Sequence, residues 1–427
     1  MKLFRALFTL SAIALFTISC SSNNAGPKAL SPEITSDDIL KHISFLADDT
    51  LKGRQAGTPG EVRSANYIAD HFANFGLVPA GNNDTYFQEF TINMNMLNNP
   101  HSNSNKEFKD QEHIARNVAG IIKGTEQPNQ YIVIGAHYDH LGYGDFGSLY
   151  NRDTTSIHNG ADDNASGTAG VLELAQYFNR HPIKKSILFL AFSAEEMGLL
   201  GSQHYVENPT IELDNALAMI NMDMIGRMAE NKLLIFGTGS ADRWSQLIEE
   251  ANTDSITINT VPDGTGASDH TSFYNKQIPV LHYFTDTHAD YHRPSDDTEY
   301  INGEGTDKVL EHVKRMVVAL DNLTEDELTY TEAPVTQNRD VTMSGVTLGV
   351  TPDYGFDGNG MRITGVRGGG AADSAGLQGG DVIIKLANKD LKDIYAYMEI
   401  LNTLEEGQTT TVTVLRDGSE QTFEIEL

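Results

Sequence analysis

The sequence predicts an α/β protein: a three-layer sandwich with a mostly parallel central sheet, followed by a small β-rich domain. Three observations predict it. Apolar runs such as "KSILFLAFSA" alternate with amphipathic segments, and a run without polar interruptions reads as a strand covered on both faces. Histidines and acids stand at the ends of those runs, where open α/β sheets place their ligands. Beyond about Val341 the composition changes to Gly-rich turns between short strands.

The elements follow in order. "TSDDILKHISFLADD" has a polar cap, acids in its first turn, and Ile39, Ile43 and Leu46 at helical spacing. "GRQAGTPG" is a turn cluster, and "EVRSANYIADHFANFGL" is a second amphipathic helix ending at Gly76. "DTYFQEFTINMNM" alternates like a strand, and a polar loop, "NNPHSNSNKEFKDQEH", follows it. "ARNVAGIIKG" and "QYIVIGAHYDH" read as successive strands. Then come helix "SGTAGVLELAQYFNRH", strand "KSILFLAFSA", strands "NALAMINMDMIG" and "NKLLIFGTG", helix "ADRWSQLIEEAN" and strand "SITINTV". The short helix "ASDHTSFYN", the strand "QIPVLHYF" and the helix "GTDKVLEHVKRMVVALDNLT" close this part.

The formal net charge is -29, from 30 Lys+Arg against 59 Asp+Glu. Nucleic-acid binders need a basic face, so that class is excluded, and so is a polybasic membrane patch. The N-terminus reads as a leader: Lys2 and Arg5 precede an apolar run from Ala6 to Ile18, too short to span a bilayer. The chain's single cysteine, Cys20, stands where cleavage would fall. "TISC" resembles the lipobox of bacterial lipoproteins and departs from its usual Leu-Ala-Gly-Cys. That resemblance implies a lipid anchor at Cys20, a place in the cell envelope, and no disulfides. The expected organisation is residues 1–20 signal peptide, 21–35 flexible tether, 36–326 catalytic domain, 327–340 linker and 341–427 C-terminal domain.

Five segments deliver His, Asp or Glu to one edge of the predicted sheet. "GAHYDH" gives His137 and Asp139, "NGADDNASG" gives Asp162 and Asp163, and "SAEEMG" gives Glu195 and Glu196. "NMDMIG" gives Asp223, and "ADYHRPSDD" gives His292 and Asp296. Asp223 interrupts an apolar run, where a lone ionised carboxylate would cost several kcal/mol unless a cation compensates it. Imidazole plus carboxylate without thiolate suits zinc, manganese or iron. The donors exceed what one catalytic zinc takes, so the set fits two ions sharing one carboxylate and one water.

These motifs resemble the secreted zinc aminopeptidases of the bacterial leucyl aminopeptidase and aminopeptidase Y type, in order, from roughly Ser36 to Leu323. The resemblance implies a zinc-exopeptidase fold and two Zn2+ per chain. It implies His137, Asp163, Glu196, Asp223 and His292 as metal ligands, with Asp163 bridging. It implies Glu195 as the general base, Asp139 as the carboxylate that orients His137, and Tyr291 as a group polarising the scissile carbonyl. The expected substrates are peptides with a free N-terminus. Asp296 is expected to support His292. The long stretch "YGDFGSLYNRDTTSIH" departs from the family and is read as a rim bearing on specificity. His140, His158, His282 and His288 are rival ligands, and Asp269 and His270 have no assigned role.

The C-terminal segment "AADSAGLQGGDVIIKLANKDL" resembles a bacterial PDZ domain. By that resemblance "IYAYMEILNTL" is the groove helix, and Thr347 to Val350 is a loop for a peptide C-terminus. "TTTVTVLRDGSEQTFEIEL" reads as a hairpin turning at Asp417-Gly418. The alternatives are a carboxypeptidase or a one-zinc glutaminyl cyclase on the same scaffold, and a non-enzymatic PDZ peptide-binding lipoprotein.

Overall fold

The computed structural model describes residues 30–95, 109, 111–150, 156–333, 347–352, 358–366, 370–392, 394–401, 403–405 and 407–427. The leader with Cys20, most of the tether, most of the polar loop after Met94 and the end of the linker lie outside them. Among the described residues, no helix is long and apolar enough to cross a membrane.

The chain runs α1 (Ser36–Leu46), α2 (Pro59–Phe75), β1 (Val78–Pro79), β2 (Phe87–Asn93), β3 (Glu112–Ile122) and β4 (Gln127–His137). It continues α3 (Gly167–Arg180), β5 (Lys185–Phe192), α4 (Leu200–Glu207), β6 (Ala216–Met222), β7 (Lys232–Phe236) and α5 (Trp244–Ala251). Then come β8 (Thr257–Val261), α6 (His270–Tyr274), β9 (Val280–Phe284) and α7 (Gly303–Asp321). Local chemistry sets the helix ends. Thr35 caps α1 by accepting the Asp38 N–H. Pro59 starts α2, and Gly76 ends it in the left-handed region at φ 90°.

The strands form one sheet in the order β1-β3-β5-β4-β6-β9-β7-β8, with β2 on β3. Its centre, β5-β4-β6-β9, is parallel. Both flanks bring antiparallel pairs, β3 with β5 and β7 with β9. All of β5 is buried, as its unbroken apolar run requires. Its alternate residues feed two cores: Ile187, Phe189 and Ala191 pack with α1, α2, α3, α5 and α7, while Leu188, Leu190 and Phe192 pack with α4 and α6. Each of the isoleucine, leucine and phenylalanine side chains among them stabilises the fold by about 1.5–3 kcal/mol. This double cover fixes the strand ends, and the site stands on them.

The C-terminal part contains β10 (Val350–Pro352), β11 (Met361–Val366), α8 (Ala371–Ala375), β12 (Val382–Leu386), β13 (Lys389–Asp390), α9 (Ile394–Leu401), β14 (Thr409–Arg416) and β15 (Ser419–Glu426). They make an antiparallel sheet in the order β10-β11-β12-β14-β15 around a separate core that includes Leu348, Ile363, Ile383 and Val412. Asp417 (φ 50°) and Gly418 (φ 76°) turn the last hairpin. Two bonds tie this part to the loop after β9: Thr287 Oγ1 donates to the Pro352 carbonyl and Arg293 Nη2 to that of Val366, each at 2.6 Å.

Candidate metal centre

His137 is the last residue of β4, and the partly buried glutamate pair follows β5. Asp223 follows β6, and His292 lies in the loop after β9. Asp163 stands in the loop before α3. Parallel neighbours end at one level, so four strands bring their ends and the loops that follow them to one place.

The distances divide the groups around Asp163. Its Oδ1 lies 3.3 Å from His137 Nε2 and its Oδ2 3.2 Å from His292 Nε2. Asp223 Oδ1 is 3.3 Å from His137 Nε2, and Glu196 Oε2 is 3.2 Å from His292 Nε2. Two donors bound to one tetrahedral ion at about 2.0–2.1 Å stand about 3.3 Å apart. All four separations meet that value, so the side chains fit two ions with Asp163 between them. His137, Asp163 and Asp223 form one group with ligand atoms within 4.8 Å of one another, and His140, Asp163 and Glu196 another.

The remaining atoms of these residues are held by partners. His292 Nδ1 donates to the Gly147 carbonyl at 2.8 Å, which leaves Nε2 free to face the carboxylates. His137 Nδ1 faces the Asp139 backbone carbonyl at 3.3 Å and the Asp139 carboxylate at 3.7 Å. Asp223 Oδ2 accepts Ser268 Oγ–H at 2.7 Å, so the segment "GASDHTSFY" touches the site through its serine. Asp296 accepts the N–H groups of Asp162 and Asp163, both at 3.0 Å. It therefore braces the Asp163 loop, where the sequence had suggested a brace for His292. Within the stretch read as a rim, Gly147 and Leu149 hold His292: the Gly147 carbonyl accepts from its ring, and the Leu149 N–H donates to the His292 carbonyl. Tyr291 stacks on the His292 ring with centroids 3.9 Å apart.

The two adjacent glutamates are driven apart. Burial raises Glu195 well above the usual carboxylate range; His137 opposes this, and Asp269, Glu196 and Asp223 add to it. Burial also acts against ionised Glu196, but His292 and His140 outweigh it and hold that group down to about 2. Burial opposes ionised Asp163 as well, and its bonds to His137 and His292 keep it well below the usual range. Two adjacent carboxyls are thus shifted in opposite directions by their surroundings. Glu195 Oε2 stands 3.8 Å from His137 Nε2, farther than the ligand atoms.

His158, His282 and His288 are not brought into these groups. His158 bonds Ser148 Oγ, His282 lies against His270 with the two rings tilted by 53°, and His288 faces Asp162. Sequence reasoning missed Arg54. It is fully buried and donates to the carbonyls of Leu46, Tyr138, Asn159 and Gly160. It thereby pins the loops carrying Asp139 and Asp163. The only available signal was an arginine inside the Gly-rich cluster "GRQAGTPG".

The profile of Peptidase family M28 matches residues 117–317, and that of the PDZ domain matches residues 335–427. Aminopeptidase YwaD of Bacillus subtilis is 30% identical over 211 residues, covering 47% of this chain and 43% of that protein. A probable zinc metalloprotease of Pyrenophora tritici-repentis is 39% identical over 109 residues, covering 26% of this chain and 24% of its own. The match thus spans less than half the length of these relatives. The structure of BSAP, a zinc aminopeptidase from Bacillus subtilis, has the same fold, with a TM-score of 0.55 at 19% identity, covering 70% of this chain and 99% of that one. The chain thus carries a segment that matches peptidase family M28, followed by one that matches the PDZ domain.

Proposed function

We propose that this protein is a metal-dependent aminopeptidase that removes the first residue of peptides. The observation that carries the reading is Asp163, whose two oxygens face two histidines, each paired with a further carboxylate at ligand spacing. His137 and Asp223 would hold one ion, Glu196 and His292 the other, and Asp163 both. Zinc suits these donors and is the metal named for the similar proteins. Bound there, two zinc ions supply Lewis acidity, which acidifies water and polarises a carbonyl.

The chain's own groups move the proton. Glu195 stands beside the ligands without being one, and would take a proton at its carboxylate and return it to the leaving amine. Asp139 fixes Glu195 through its backbone N–H. Tyr291, against His292, would donate to the scissile carbonyl. The substrate's free ammonium would be met by the surrounding carboxylates, which favours cleavage at the first bond. The Thr347 to Val350 loop beside edge strand β10 would receive a peptide C-terminus, and Cys20 would carry a lipid that holds the protein at the cell envelope.

The test compares chromogenic aminoacyl substrates with N-blocked and C-terminal ones, alongside metal analysis. Cleavage of free-amine substrates only, two zinc ions per chain and loss of activity to a chelator are expected. Activity untouched by a chelator would sink the proposal. One ion per chain with cyclisation of N-terminal glutamine would favour a glutaminyl cyclase.

A further inference from the structure

We infer that His140 is a positioning residue that holds Glu196 by one oxygen, so that only the other oxygen faces the metal position. The inference rests on the two-metal reading above.

His140 lies in the loop after β4, fully buried. Its Nδ1 is 2.6 Å from Glu196 Oε1, while Glu196 Oε2 is 3.2 Å from His292 Nε2. The two oxygens therefore have separate partners. Asp223 repeats the arrangement in the other group: Oδ1 faces His137, and Oδ2 is taken by Ser268. Each terminal carboxylate thus presents one oxygen to an ion and has its second oxygen anchored by a donor.

His140 is also near enough to Asp163 and Glu196 to be considered a ligand itself. Distance decides against that. Donors sharing one zinc stand about 3.3 Å apart. The His140–Glu196 contact is 2.6 Å, a charge-assisted hydrogen bond, and His140 Nδ1 is 3.9 Å from Asp163 Oδ2. His140 Nε2 has no hydrogen-bond partner, so the ring's proton belongs on Nδ1, facing the carboxylate. The ring needs the space left by Gly160, where a Cβ would fall 2.5 Å from His140 Cδ2.

Metal-free wild type, His140→Ala and His140→Asn would each be titrated with Zn2+ against a chromophoric chelator, and with Co2+ for the absorption spectrum. Wild type is expected to bind two ions. His140→Ala is expected to keep one affinity and weaken the other by about 10–100-fold, the usual effect of removing a residue that orients a ligand. His140→Asn, whose amide N–H can stand near Nδ1, is expected to recover most of that loss and the wild-type cobalt spectrum. Two unaltered affinities in His140→Ala overturn the inference. So does an asparagine variant no better than alanine, which would make the imidazole a ligand. A wild type that binds no ion would instead defeat the reading of the site.

Discussion

The Asp139 carboxylate accepts the backbone N–H of Glu195 at 3.1 Å. Asp139 leaves the end of β4 and Glu195 the end of β5, so this bond crosses between neighbouring parallel strands. The same carboxylate lies 3.7 Å from His137 Nδ1. Asp139 therefore reaches both groups: its backbone carbonyl faces His137 Nδ1 at 3.3 Å, and its carboxylate holds the N–H of the residue assigned to proton transfer. Asp139→Ala should lower kcat by about 10–100-fold and weaken one metal affinity, as other orienting partners do. Steady-state kinetics with zinc analysis checks this, and unchanged values in both would refute it.

Glu195 is itself outside ligand spacing. Glu195→Gln should therefore keep both ions while kcat falls by about 10²–10⁴-fold. Retained activity in a fully metallated variant would remove Glu195 from the proton-transfer role.

Arg54 donates to four buried carbonyls on three segments. Replacing it with methionine keeps the bulk and removes every donor. Each acceptor left without a partner costs about 1–3 kcal/mol, so a loss of at least about 3 kcal/mol is expected in urea unfolding. A loss below about 1 kcal/mol would show that the guanidinium is not what pins these loops.

Glu173 and His42 meet away from the metal centre, with Oε1 3.3 Å from Nε2. The spacing suggests an ion pair, but burial dominates both groups, raising Glu173 to about 8 and lowering His42 to about 4. The contact is therefore between a neutral acid and a neutral imidazole at pH 7. For Glu173 the folded value lies above the unfolded one near 4.5, so its contribution is full below about 4.5 and lost as pH rises through about 8. Glu173→Gln should flatten this decline in urea midpoints between about pH 5 and about pH 9. An equal decline in the variant would rule Glu173 out as its source. His42, shifted down, adds a separate loss as pH falls from 6.5 toward about 4, common to both proteins.

The sequence by itself determined the alternation of buried strands and helices, because apolar runs and helical spacing are local. It also singled out the candidate donors, because few side chains can bind a metal and these stand at or just past the ends of apolar runs. Tertiary structure decided how each donor is used. His137, His140 and His292 are equal in sequence as imidazoles. His292 faces the carboxylates through Nε2 because the Gly147 carbonyl, 145 residues away in the chain, takes its Nδ1–H. His140 faces an outer oxygen because Glu196, 56 residues away, arrives from the next strand. Arg54 was legible only as part of a turn, since its acceptors are backbone carbonyls, which carry no side-chain signature. Ring orientation and backbone acceptors depend on long-range approach, and no local pattern encodes them.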